Sequence, residues 1–164
     1  MLVYLLIGVI LYVILKRKKV NKSQAIGFLF IYLFLGIIFN STVFGRKIKL
    51  KREYKLMIFW SWKEYLESHK IKIVQDNILN IIMLMPLGVA LPIVMNKKAK
   101  MWQACLAGVC ISSVIEISQL VFKVGCFEWD DIIHNTIGVL MGTIIMNRIG
   151  FMKKRQEIDS VTKE

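Results

Sequence analysis

Residues 101–122 read MWQACLAGVCISSVIEISQLVF and carry a single charged side chain, Glu116. A bilayer hydrocarbon core is about 30 Å thick and a helix rises about 1.5 Å per residue, so a run of this length spans it. An ion at the centre costs about 2.5–3.5 kcal/mol on insertion scales, which is why such runs are nearly free of charge. Outward from this stretch the same pattern recurs at residues 77–95, 132–147, 25–44 and 2–15, none of which holds an Asp, Glu, Lys or Arg. Dense charge fills the gaps. The chain of 164 residues is 56% hydrophobic with a mean hydropathy of +0.56, and this segregation excludes a water-soluble domain. The expected fold is an all-α integral membrane protein with about five transmembrane helices.

The run at 2–15 is the shortest. It starts without a basic n-region or cleavage site and ends on Lys16, Arg17, Lys18 and Lys19, the pattern of a retained anchor. Spanning requires local thinning of the bilayer or snorkelling of Lys16 and Arg17. With five spans and the N-terminus outside, thirteen Lys and Arg fall on the inner side and ten on the outer, a narrow margin that leaves the opposite orientation open. Pro86, inside the third run, is expected to kink its helix.

Between the second and third spans, residues 56–62 read LMIFWSW, too short to cross and rich in the aromatic residues that favour the headgroup level. Lys55 to Leu66 reads as an interfacial segment, with the cationic stretch before it on lipid phosphates. The organisation expected is a short anchor and basic loop at 1–24, a polytopic domain at 25–150 and a polar C-terminal tail at 151–164. A net charge of +12 with no groove-reading or base-stacking motif points to anionic membrane lipids rather than nucleic acid. Cys105, Cys110 and Cys126 offer neither a disulfide framework nor metal-ligand spacing, and Cys105 and Cys110 read as small packing residues.

The polar groups inside the apolar runs carry the functional signal. Glu116 is an intramembrane ionisable residue, and Gln119 shares its helical face. Asp76 and Asn80 open the third span; Asp130, Asp131, His134 and Asn135 open the fifth, where Gly138 and Gly142 form a G-x-x-x-G step for a closely approaching helix. If spans alternate, all of these meet at one membrane side together with Asn40 at the end of the second span. Asn77 and Asp130 can be helix caps, whereas Asn80, Glu116 and Asn135 lie too deep for capping. The carboxylates with His134 lack a metal-binding spacing, and neither a metal nor a cofactor is expected.

Asp76-x-x-x-Asn80 leading into Met85-Pro86-Leu87-Gly88, then Glu116-x-x-Gln119, then Phe127-Glu128-Trp129-Asp130-Asp131-x-x-x-Asn135-Thr136-x-Gly138-x-x-x-Gly142 resembles the VanZ-like family of small bacterial membrane proteins, over roughly residues 40–146. The resemblance implies a multi-pass protein of the bacterial cytoplasmic membrane, in a family whose founding member is linked to teicoplanin resistance. Many members carry an Arg shortly before the Phe-acidic-x-Asp-Asp run, where this chain has Lys123, Val124, Gly125 and Cys126. A lysine cannot reproduce a bidentate fork, so the ligand here is expected to differ.

Two functions follow. In the first, Asn40, Arg46, Asp76, Asn80, Glu116, Gln119, Asp130, Asp131 and Asn135 form an outward-facing pocket for a lipid or lipid-linked wall precursor, or act against a lipoglycopeptide, through charge-assisted hydrogen bonds. In the second, an enzyme acts on a lipid or polyprenyl phosphate, with Glu116 as general base and Asp131 or His134 as acid or orienting group. Ser112 and Ser113 lack a paired base at a recognisable spacing. A transporter would need a continuous polar path and ranks last.

Overall fold

The computed structural model describes residues 8, 10, 12–15 and 20–161, with side chains as far as Gly150. Most of the expected first span, residues 2–15, lies outside these described residues; those that are described there are helical. Helix α1 covers Lys22–Phe39 and continues as a π-helical turn over Asn40–Phe44. Strand β1 is Glu53–Lys55, helix α2 is Trp60–Ser68, α3 is Ile71–Met95 and α4 is Met101–Phe122. Strand β2 is Cys126–Glu128, and α5 runs Trp129–Val161, so the segment read as a polar tail begins as a continuation of this helix.

Among the described residues four segments are long and apolar enough to cross a membrane: Lys22–Phe44, Ile71–Met95, Met101–Phe122 and Trp129–Gly150. They alternate in direction. At one end Gln24 of α1 donates to the Val94 carbonyl of α3 at 2.9 Å, and Asn147 of α5 exchanges two hydrogen bonds with Ala99 in the α3–α4 turn, at 2.8 and 3.1 Å. At the other end β1 and β2 pair in parallel, with Glu53 opposite Cys126, Tyr54 opposite Phe127 and Lys55 opposite Glu128. The Lys49 N–H donates to the Lys123 carbonyl at 2.6 Å beside them. Strands of three residues are too short to leave an alternating signature in the sequence.

Lipid removes the hydrophobic drive between helices, so close backbone packing has to hold the bundle. The G-x-x-x-G step supplies it. A Cβ added at Gly138 or Gly142 would fall on the carbonyls of Ile81 or Met85 of α3, and one at Gly88 of α3 would fall on the Val139 carbonyl of α5. On α4, Gly108 gives Thr136 of α5 the same access. Around this spine Ile38, Leu84, Leu87, Ala104, Ile115 and Val139 form the apolar core.

Pro86 and Pro92 both lie inside α3. Proline has no N–H, so Pro92 leaves the carbonyl of Gly88 without its helical donor. The Thr143 hydroxyl of α5 fills that place at 3.0 Å. The two helices are therefore joined where α3 is weakest.

Candidate functional site

The end of the bundle that holds β1 and β2 also gathers the polar residues of α3, α4 and α5, in layers of increasing depth. The outermost layer fastens α2. Asp130, 1% exposed, accepts from the Phe59 N–H at 2.5 Å, the Ser61 N–H at 2.9 Å and the Ser61 hydroxyl at 2.5 Å. Asp130 thereby acts as an N-cap supplied from another helix, which matters because α2 has no side-chain cap of its own. It also ties down Phe59, whose φ of 62° is a left-handed conformation unfavourable for a bulky residue. The Asn77 amide donates to the Ser61 hydroxyl at 3.2 Å, and the Trp62 indole N–H donates to Nε2 of His134 at 3.3 Å. That acceptor role puts the imidazole proton on Nδ1.

The middle layer joins three transmembrane helices. The Asn80 amide of α3 donates to Oδ1 of Asp131 on α5 at 2.7 Å. Glu116 of α4, 2% exposed, accepts the Glu128 N–H at 3.1 Å. The charge of Asp131 acts on Glu116, and the exposed Arg46 acts on both. The deepest layer lies one helical turn below. Asn135, four residues after Asp131, donates to the hydroxyl of Ser112, four residues before Glu116, at 2.8 Å. Its Oδ1 is buried with no hydrogen-bond partner.

Glu128 forms the rim. It pairs with Lys55 at 3.8 Å across the β1–β2 ladder, and the Lys55 ammonium sits 3.0 Å from the centroid of the Trp60 ring. Burial pushes the Glu128 carboxyl above the usual range although Lys55 opposes it. Burial, reinforced by the Glu128 charge, pushes the neighbouring Cys126 thiol up to about 12.

Of the residues singled out in the sequence, Asn80 is thus bonded to Asp131, Asp131 and Arg46 lie within electrostatic reach of Glu116, and Asn135 is bonded to Ser112 one helical turn below. Asp130 and His134 hold α2 in place. Gln119 is buried against Gly125, where an added Cβ would collide with its side chain. Asn40 and Asp76 are exposed: the Asn40 carbonyl accepts the Gly45 N–H that closes the π turn, and the charge of Asp76 acts on Asp131 from outside. Sequence reasoning missed Ser61, Glu128 and the partnership of Ser112 with Asn135. The last was legible in principle, since Ser112 and Glu116 share a helical face. No group of three or more His, Cys, Asp or Glu side chains that could hold a metal ion occurs among the described residues.

A family model described as VanZ/LLP1 matches residues 27–150, which include all four described spans up to Gly150 apart from the first turn of α1. Comparison with curated proteins and with solved structures gives no match.

Proposed function

Since the chain belongs to the VanZ/LLP1 family, as a VanZ-like membrane protein, we propose that it works in the bacterial cytoplasmic membrane as a binding protein for lipid or lipid-linked wall precursors. Residues 25–150 are the working domain in this reading, with the polar cluster facing the outer leaflet. By occupying or altering such lipids the protein changes susceptibility to glycopeptide and lipoglycopeptide antibiotics such as teicoplanin.

The observation that carries the reading is the middle layer. Asn80, Asp131 and Glu116 supply two carboxyl groups and a carboxamide from three helices, Glu116 buried and the other two half-buried, within electrostatic reach of the exposed guanidinium of Arg46. Buried polar groups cost free energy unless paired, and in a bilayer such residues mark sites of function. Arg46, with Lys47, Lys49, Lys51 and Arg52 in the same loop, suits phosphate, and the cluster suits the donors of a headgroup or saccharide.

The test is antibiotic susceptibility of cells carrying wild type, Glu116→Gln or no copy, matched for protein in the membrane. The reading expects Glu116→Gln to behave as the empty strain. Wild-type susceptibility in the Glu116→Gln strain would refute it.

The action of the Asp131 charge on Glu116 also suits an acid–base pair, which keeps a membrane-embedded enzyme acting on a lipid or polyprenyl phosphate as the second reading. Mass spectrometry of lipid extracts with and without the protein separates the two: a new or depleted lipid favours catalysis, an unchanged profile favours binding.

A further inference from the structure

The hydrogen-bond capacity of the cluster is unbalanced. Asp131 Oδ1 is matched by Asn80 and Glu116 Oε2 by the Glu128 N–H, yet two carboxyl groups offer further acceptor sites. Among the described residues, the ion pairs are Lys49 with Glu53, Lys55 with Glu128 and Lys63 with Glu67, so no cation lies within pairing distance of Glu116 or Asp131. Beneath them Asn135, 1% exposed, spends its amide N–H on Ser112 and leaves Oδ1 unmatched. An orphan buried acceptor costs about 1–3 kcal/mol. On Glu116, Asp131 and Asn135, acceptors therefore outnumber the donors that reach them.

The mouth has the opposite character. Arg46 is exposed, its charge reaches both Glu116 and Asp131, and no ion pair within 4.0 Å engages it among the described residues. A ligand that matches both parts carries a donor-rich cation in front and an anion behind it.

We propose that the site binds the primary ammonium group of a phosphate-bearing lipid headgroup. The three N–H bonds of the ammonium match three acceptors, on Glu116, Asp131 and Asn135 Oδ1, while the phosphate meets Arg46. This deepens the lipid-binding reading above and rests on it. A quaternary ammonium has the charge without N–H donors, and a glycerol headgroup has hydroxyl donors without the charge, so the headgroup itself can be varied while the protein stays intact.

The full chain is placed in nanodiscs of phosphatidylcholine with a minor share of either phosphatidylethanolamine or phosphatidylglycerol, and the lipid retained on the protein is measured by native mass spectrometry. Phosphatidylethanolamine should be enriched about tenfold over its share in the disc, as one extra charge-assisted contact predicts. Glu116→Gln and Asp131→Asn should each reduce that enrichment, and Arg46→Ala should weaken retention of both guests.

Equal or greater enrichment of phosphatidylglycerol would overturn the ammonium assignment and leave lipid binding standing. Enrichment of neither guest, with free exchange of phosphatidylcholine, would overturn both. Displacement of the guest by magnesium ion would make the site a cation site, and displacement by soluble phosphoethanolamine at equal concentration would make its ligand a free solute. Either outcome refutes the proposal.

Discussion

Asn80, well inside α3, donates a 2.7 Å hydrogen bond to Asp131 in the first turn of α5. A bond of this kind couples the two positions energetically. A double-mutant cycle of Asn80→Ala and Asp131→Ala, read from denaturation in detergent, should give a coupling of about 1–3 kcal/mol, the range for a hydrogen bond to a carboxyl group. Additive effects would mean that the two side chains act independently.

Asp130→Ala should release α2 without dissolving the bundle. Three donors, on Phe59 and Ser61, lose their acceptor at once, and a lost helix cap alone costs about 1–2 kcal/mol. Trypsin cleavage at Lys63, inside α2, should accelerate strongly in the variant while the transmembrane fragments stay intact. An unchanged cleavage rate would show that α2 is held by its apolar side chains instead.

Gly138→Ala should destabilise by about 1–3 kcal/mol, since the new methyl group meets the Ile81 carbonyl and the backbones must separate. Gly150→Ala meets nothing within 4 Å, and should be neutral or gain up to about 1 kcal/mol from helix propensity. Thermal midpoints of the two proteins in one detergent make the comparison.

The Cys126 thiol, pushed up from 9.0 to about 12, holds thiolate at a fraction on the order of a thousandfold below an ordinary cysteine near neutral pH. Maleimide labelling of Cys126 should be correspondingly slow and should still be rising about tenfold per pH unit beyond pH 9, where an ordinary cysteine levels off. A cysteine at the exposed position 51 should label quickly at neutral pH, which makes Lys51→Cys the better reporter of which side the loop occupies. Equal rates at the two positions would contradict the half-buried setting of Cys126 beside Glu128.

The transmembrane architecture was legible because a bilayer writes its thickness into the sequence as uncharged runs. The G-x-x-x-G step was legible for a similar reason: only small residues permit backbone contact, and Gly138 and Gly142 make it with α3. Depth singled out Asn80 and Asn135, because no interfacial role reaches that far into a span, and each forms a hydrogen bond to another helix.

Other features depend on tertiary pairing that leaves no local trace. Asp130 reads in sequence as a cap for its own helix, and it caps α2, nearly seventy residues away along the chain, instead. The β1–β2 ladder is too short for a periodic signal. Nor does the sequence around Pro92 reveal that Thr143, on another helix, supplies the donor its missing N–H leaves wanting.

Phospholipid retained per protein after purification in detergent, compared between wild type and Glu116→Gln, tests the binding site most directly. Gln preserves volume and most hydrogen-bonding capacity, so helical content and thermal midpoint should hold while most of the bound phosphorus is lost. If Glu116→Gln keeps its full complement of lipid, and Glu116→Ala fails to fold, the carboxyl group serves the bundle rather than a ligand.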